Sequence, residues 1–302
     1  MFHKNARRVP FAFHICKIFF DTVIKINIDK SVTALDNVSF SFEAGKIYAF
    51  LGRNGAGKST LINIIANRIF ADNGTVLIDG LPANENMAVH EKIFCASEAD
   101  LYACDLKIKD HFKWINKFYD SFNLDKALEI SAKFNLDTNK KFKALSKGYQ
   151  SIFKLTAALA LDVPYVIFDE PVLGLDANHR ELFYELLLKD YENNERTIII
   201  ATHLIEEIAN IVEEVVLIDK GKVLLQENVS SLLEMGYSVS GIASEVDSYC
   251  KDKNVIDCDE IGGLKIAYIL GNKTAVPQGS SLQISTINLQ KLFVKLTENG
   301  GK

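Results

Sequence analysis

The sequence predicts an α/β fold: a mixed sheet core, interrupted by a helical insert and followed by a small α+β appendix. Three observations carry this. Apolar runs at 47–52 (IYAFLG), 165–170 (YVIFDE) and 196–203 (RTIIIATH) read as strands buried on both faces, and they alternate with helical stretches. Between about Glu98 and Asp162 the apolar residues follow helical spacing, with no convincing strand. After Ser230 the pattern loosens into one clear strand and a closing helix. The 302 residues thus divide into an N-terminal extension at 1–22, a main domain at 23–229 with its insert at about 99–162, and an accessory domain at 230–302.

In chain order, Ile24, Ile26 and Ile28 alternate with Lys25 and Asn27, which predicts a half-buried strand. Val38, Phe40 and Phe42 alternate with Ser39 and Ser41 and predict a second. IYAFLG runs into a glycine-rich turn and then a helix from about Lys58 to Ala66. TVLIDG at 75–80 reads as strand then turn, and IFCAS at 93–97 as a further strand. In the insert, Ile108, Phe112, Ile115 and Tyr119 fall on one face of a helix. A second helix covers about Leu124 to Phe134, and a third follows Gly148 with Ile152, Leu155 and Leu159 on one side. EVVLIDKGKVLL at 214–225 is two strands joined by an Asp-Lys-Gly-Lys turn. In the accessory domain, KIAYIL at 265–270 is a strand, Pro277-Gln-Gly279 a turn, and Leu289, Leu292, Phe293 and Leu296 one face of a last helix.

Apolar residues make up 48% and charged residues 24%, which excludes a disordered chain. The net charge of -5 argues against a general nucleic-acid binder, so no nucleic-acid partner is expected. Cys16, Cys95, Cys104, Cys250 and Cys258 are odd in number and widely spaced. They indicate neither a metal site nor a redox centre, and a reducing compartment is the plain reading. Near the start, Arg7 and Arg8 precede the run PFAFHICKIFF, which is broken by His14 and Lys17 and is too short to span a bilayer. Its readings are a loosely packed extension, a short amphipathic helix touching a membrane or partner, and a targeting signal.

The strongest chemical signal is GRNGAGKST at 52–60, the G-x-x-x-x-G-K-S/T phosphate loop in its required place between a buried strand and a helix. Gly52, Gly55 and Gly57 let the backbone turn tightly and approach phosphate without a Cβ in the way. Successive N–H groups, from Asn54 through Thr60, then face phosphate oxygens at a helix start. Lys58 places a charge at the β- and γ-phosphates, and Ser59 can ligate Mg2+. YVIFDEP at 165–171 supplies carboxylates at a strand end. Asp169 can hold the Mg2+ shell. Glu170 can accept the proton of an attacking water. His203 ends the strand before it and can orient that water and Glu170.

The order 52-GRNGAGKST-60, 145-LSKGYQ-150, 165-YVIFDEP-171, 174-GLD-176 and 201-ATH-203 resembles the ATP-binding subunit of ABC transporters, over about Val23 to Gln226. The resemblance implies a P-loop ABC-type ATPase domain that uses ATP and Mg2+. It implies that Ser146 and Gly148 contact the γ-phosphate held by an opposite ATPase subunit, identical or homologous, with Asp176 at the seam. It also implies an integral membrane permease as partner, which would place this chain at the cytoplasmic face of the cell membrane. The LSKGYQ segment agrees physically, since serine, glycine and a helix start make a small anion-binding face. Two other classes fit the motifs less well: a soluble ABC ATPase without a transport role, and an ATP-binding regulatory subunit with little turnover.

Three departures from the family pattern stand out. Lys147 replaces the first glycine of LSGGQ, and Tyr149 stands at its glutamine. This S-K-G form resembles exporter-type ATPases with separate permeases, including those for antimicrobial peptides and drugs. Glu98 stands where the family often has glutamine, and its carboxylate can reach Mg2+ or its water. The adenine-stacking aromatic aligns with about Asp29, which cannot stack, so the adenine is held either weakly or by a residue elsewhere such as Phe11. Within the insert, Trp114 falls off the apolar stripe and reads either as core or as an exposed interface anchor. A carboxylate beside the triphosphate costs more without the metal. Glu98→Gln is therefore expected to strengthen metal-free ATP binding more than Mg-ATP binding, as compared by calorimetry with and without EDTA. Equal effects would place Glu98 away from the nucleotide.

Overall fold

The computed structural model describes residues 17–28, 32–97, 102–277 and 279–299. Among these residues the central sheet has six strands, in the order Lys222–Asn228, Glu214–Asp219, Ile47–Leu51, Thr197–Thr202, Tyr165–Asp169, Ile93–Ala96. All run parallel except Lys222–Asn228, which returns through the Lys220-Gly221 turn, so the sheet is mixed as expected. Every residue of Ile47–Leu51, Tyr165–Asp169 and Thr197–Thr202 is buried. Their side chains alternate across the sheet. Ile47, Ala49 and Leu51 join the core on the helical side, with Ile198, Ile200, Val166 and Phe168. Tyr48 and Phe50 join the other core, with Ile199, Ile167, Val216 and Ile218. This two-sided burial is why the strands read as continuous apolar runs.

The second core is closed by the helix Lys58–Ile65 and by an antiparallel sheet. There Lys17–Ile28 pairs with Val32–Val38, Ser41–Glu43 and Asn73–Ile78. The strand Lys17–Ile28 corrects one expectation. The boundary placed after residue 22 falls inside it, because residues 17–22 already belong to a strand whose Ile18, Phe19 and Phe20 pair with Ile78, Leu77 and Val76. Sheet pairing overrides the interrupted hydropathy of this run. The alternation from Val38 to Phe42 is likewise two short strands broken at Ser39-Phe40. The remaining expectations about residues 1–16, Cys16 and Phe11 included, lie outside the described residues, as do Asp29 and Glu98.

The insert is helical: Ile108–Phe118, Leu124–Lys133, a single 3-10 turn at Phe142–Ala144, and Lys147–Leu159. The last helix starts one residue before Gly148. Phe112, Phe122, Phe142 and Phe153 form its aromatic centre, with ring centroids 5.4 Å apart for Phe112 and Phe153 and 5.6 Å for Phe142 and Phe153. Of the expected stripe, Ile108 and Phe112 are buried, and Ile115 and Tyr119 pack partly buried against the same core. Trp114 is off that stripe, exposed, and stacked on Phe118 at 6.1 Å. The free cysteines Cys95, Cys104, Cys250 and Cys258 form no disulfide among the described residues.

A buried ion network ties the insert to the body. Asp190, on the helix Ala177–Asn193, accepts from Lys126 Nζ of the insert at 2.7 Å and pairs with Arg196. Arg196 Nη1 also donates to Leu161 O at 2.6 Å. Removing one partner of such a pair leaves a charge in low dielectric. Asp190→Ala is expected to cost about 3 kcal/mol of folding stability, read from urea unfolding. A loss within error would mean that water reaches Arg196.

The accessory segment holds more sheet than its pattern announced. Its four strands run antiparallel in the order Asn254–Ile261, Leu264–Leu270, Gly236–Ile242, Gln283–Thr286. The helix Ala243–Cys250 covers one face, with Val246 packed on Tyr237, Val239, Ala267 and Ile269. The last helix, Leu289–Asn299, and the residues Ile256, Tyr268 and Ile287 belong instead to the main core. The appendix is thereby fastened to the body rather than hung from it.

Candidate active site

Parallel strands bring their carboxyl ends to one edge of the sheet, where α/β proteins place ligands. Here Ile47–Leu51 lies beside Thr197–Thr202, which lies beside Tyr165–Asp169. That order alone brings together Lys58, Asp169, Glu170 and His203, which are far apart in sequence.

After Leu51 the chain cannot carry a side chain at Gly52, because a Cβ there would stand 2.5 Å from Ile218 O. Gly57, at φ +110°, turns the loop into the helix Lys58–Ile65, and no side chain caps that helix start. The first-turn amides of Lys58, Ser59 and Thr60 therefore face the loop's hollow without a side-chain cap. Asn54, Gly55 and Ser59 are exposed there, whereas Lys58 is 5% exposed. Lys58 Nζ donates to Gly52 O at 2.6 Å and to Arg53 O at 3.4 Å, and stands 3.8 Å from Glu170 Oε1. Burial pushes the Lys58 ammonium below the ordinary lysine range, and the carboxylates of Glu170 and Asp169 oppose that push. The Lys58 amine is thus partly stripped of water and faced by two carboxylates, an arrangement suited to gripping phosphate.

Asp169 ends its strand buried. The next residue, Glu170, adopts φ 48°, a left-handed conformation that costs a non-glycine residue roughly 1 kcal/mol or more. Its N–H donates to Ala201 O at 2.8 Å and fixes the turn. Glu170 Oε1 meets His203 Nδ1 at 3.0 Å, and Oε2 accepts from Thr202 Oγ1 at 3.0 Å. A proton on His203 Nδ1 is thus placed to be donated to the Glu170 carboxylate. Thr202 also accepts from Leu204 N at 3.1 Å, so it holds both the carboxylate and the turn that carries His203. Sequence reasoning missed Thr202. Its only signal was a hydroxyl residue beside the histidine in ATH.

Ser146 is the N-cap of Lys147–Leu159 and accepts from Tyr149 N at 3.3 Å. Gly148 lies against the loop at 172–176, where a Cβ would stand 2.7 Å from Gly174 O. Gly148→Ala is expected to force the helix off that loop and lower ATP turnover by about tenfold or more, with nucleotide binding by the isolated chain retained. A turnover assay beside a binding titration checks this. Parallel loss of both would point to unfolding.

The oxygen donors of Ser59 and Asp169 suit a hard cation such as Mg2+, which takes few protein ligands and completes its shell with phosphate and water. Among the described residues no group of three or more His, Cys, Asp and Glu is arranged to hold a metal ion by itself.

A family model described as ABC transporter matches residues 35–173. The ABC transporter ATP-binding protein YtrB of Bacillus subtilis is 25% identical over 229 residues, covering 76% of this chain and 78% of that protein. The energy-coupling factor transporter ATP-binding protein EcfA2 of Staphylococcus epidermidis is 30% identical over 213 residues, 66% of this chain and 74% of that one. Among solved structures, the dimeric post-hydrolysis state of the ATP-binding cassette MJ0796 superposes with a TM-score of 0.63 at 24% identity, covering 70% of this chain and 98% of that one. At that identity the likeness concerns the fold.

Proposed function

The chain belongs to the family of ABC transporter ATP-binding proteins, and from that premise we propose that it binds and hydrolyses ATP to drive a separate membrane permease, in the direction of export. The observation that carries the reading is the convergence of Lys58, Asp169, Glu170 and His203 at the carboxyl edge of the sheet beside the phosphate loop. The backbone of Gly52, Asn54, Gly55, Gly57 and Thr60 cradles the phosphates, and Lys58 grips the β- and γ-phosphates. Ser59 and Asp169 would hold Mg2+, which would supply charge neutralisation at the phosphate oxygens. Glu170 takes the proton of the attacking water, positioned by His203 and Thr202.

The site is completed by Ser146 and Gly148 of a second ATPase subunit, identical or homologous, and closure of the pair moves the helical inserts against the permease. A ligand with higher affinity for the closed pair supplies the mechanical step, and loss of the γ-phosphate contacts reverses it. No helix among the described residues is long and apolar enough to cross a membrane. In this reading the permease holds the chain at the cytoplasmic face. The S-K-G form of the 145–150 segment supports export.

The test is purification of the tagged chain from membranes, with identification of the co-purifying membrane protein and measurement of flux in inside-out vesicles. ATP-dependent uptake into those vesicles is the expected outcome. Uptake by right-side-out cells would reverse the direction, and recovery of the chain without any membrane protein would favour a soluble ATPase.

A further inference from the structure

The closing helix Leu289–Asn299 buries Leu289, Leu292 and Phe293 in the core that also holds Ile205 and Ile208, just beyond His203. Asn288 ties this junction twice. Its Oδ1 accepts from Lys291 N at 2.9 Å, and its Nδ2 donates to Glu206 Oε1 at 3.1 Å. The helix is thereby set beside the phosphate loop, and the two enclose a cleft of about 490 Å³. Arg53, Asn54 and His203 form its polar side, while Phe293, Val294 and Thr297 form the opposite wall. Val294 is 43% exposed, so an apolar surface faces the cleft mouth.

The close approach of Gly148 to Gly174 identifies what can enter. With no room for even a Cβ between them, the start of the helix at Lys147 and the 172–176 loop are packed in direct contact. A subunit that delivers Ser146 and Gly148 to the phosphate loop must deliver its 172–176 loop alongside. That loop exposes an apolar side chain, Leu173, at 49%, although its neighbours Val172 and Leu175 are buried. It also exposes the carboxylate of Asp176, at 64%. Hydrogen bonding from His179 holds that carboxyl below the usual range, so it stays charged. The loop thus offers one apolar group and one anion, and the cleft offers an apolar wall and the Arg53 guanidinium.

We propose that the closing helix of the appendix is part of the dimer seam: the cleft between it and the phosphate loop receives the 172–176 loop of a second copy of this chain, with Leu173 against Phe293 and Val294 and Asp176 toward Arg53. This rests on the paired-site reading above. It gives the appendix a role in pairing that the nucleotide-binding motifs do not require. It also makes pairing sensitive to anything that moves the helix Leu289–Asn299.

The experiment uses the full chain carrying Glu170→Gln, followed by size-exclusion chromatography with light scattering over a concentration series, with and without ATP. In that background Val294→Arg is expected to weaken the ATP-dependent dimer by about tenfold or more, as for a disrupted apolar contact in an interface, with ATP binding by the monomer and the melting temperature unchanged. Leu173→Ala and Val294→Ala are each expected to weaken it too. Together they should weaken it by less than the product of the single effects, since touching residues couple. An unchanged dimer in Val294→Arg, or independent effects of the two alanine changes, overturns the inference while leaving the paired site standing. Failure of Glu170→Gln itself to dimerise with ATP at any concentration removes pairing with an identical copy, and this inference with it, while pairing with a homologous subunit still stands.

Discussion

Glu170→Gln is expected to lower ATP turnover by roughly 10²-fold or more, the scale of losing a general base, and to leave the chain as an ATP-retaining dimer. The reason lies in how the carboxylate is held. A left-handed turn after Asp169 aims it between Lys58 and His203, and Thr202 and His203 occupy its two oxygens. Glutamine keeps the volume and can still accept from Thr202, so the site's shape survives. What it loses is the proton acceptor and one negative charge near the triphosphate. Both changes favour a closed pair, because ATP binding persists while the step that reopens the pair stops. Light scattering with and without ATP reads the oligomer, and phosphate release reads turnover. Replacing Ser146 with arginine as well should abolish the dimer by blocking the contact across the seam. Wild-type turnover in Glu170→Gln would remove Glu170 as the base, whatever the oligomer does.

Lys58→Ala is expected to weaken ATP binding by about 10²-fold, as for loss of a partly desolvated charge contact, and to abolish hydrolysis. The ammonium is buried and oriented by the carbonyls of Gly52 and Arg53, so it is pre-organised for phosphate at little ordering cost. It also offsets the carboxylates of Asp169 and Glu170, which in the alanine variant face the triphosphate unopposed. Calorimetry on the purified variant checks the first effect, and an unchanged circular dichroism spectrum guards against unfolding. Affinity near that of the parent chain would contradict the phosphate-loop assignment.

The sequence by itself determined whatever depends on local rules. The phosphate loop is legible because its glycines, lysine and flanking strand and helix are contiguous, so turn geometry and helix start are set within nine residues of chain. The insert is legible because Ile108, Phe112, Ile115 and Tyr119 repeat at the helical period, and that same period left Trp114 outside. The tertiary structure alone decided what depends on which strands are neighbours. Periodicity tells which face of a strand is buried and says nothing about its partner. The meeting of Lys58 with Glu170, and of Glu170 with Thr202, follows from strand order and register. The residues at 17–22 became strand by the same logic, because Ile18, Phe19 and Phe20 find partners in Asn73–Ile78 that their own interrupted pattern does not announce. Gly148 reads in sequence as an anion-binding glycine, yet its lack of a Cβ is also demanded by Gly174. The closing helix reads only as amphipathic, and its place beside the phosphate loop comes from burying Leu289, Leu292 and Phe293 in a core they share with Ile205. Burial of apolar surface is non-directional, so the sequence could state that these side chains would be covered, and only the assembled fold could state by what.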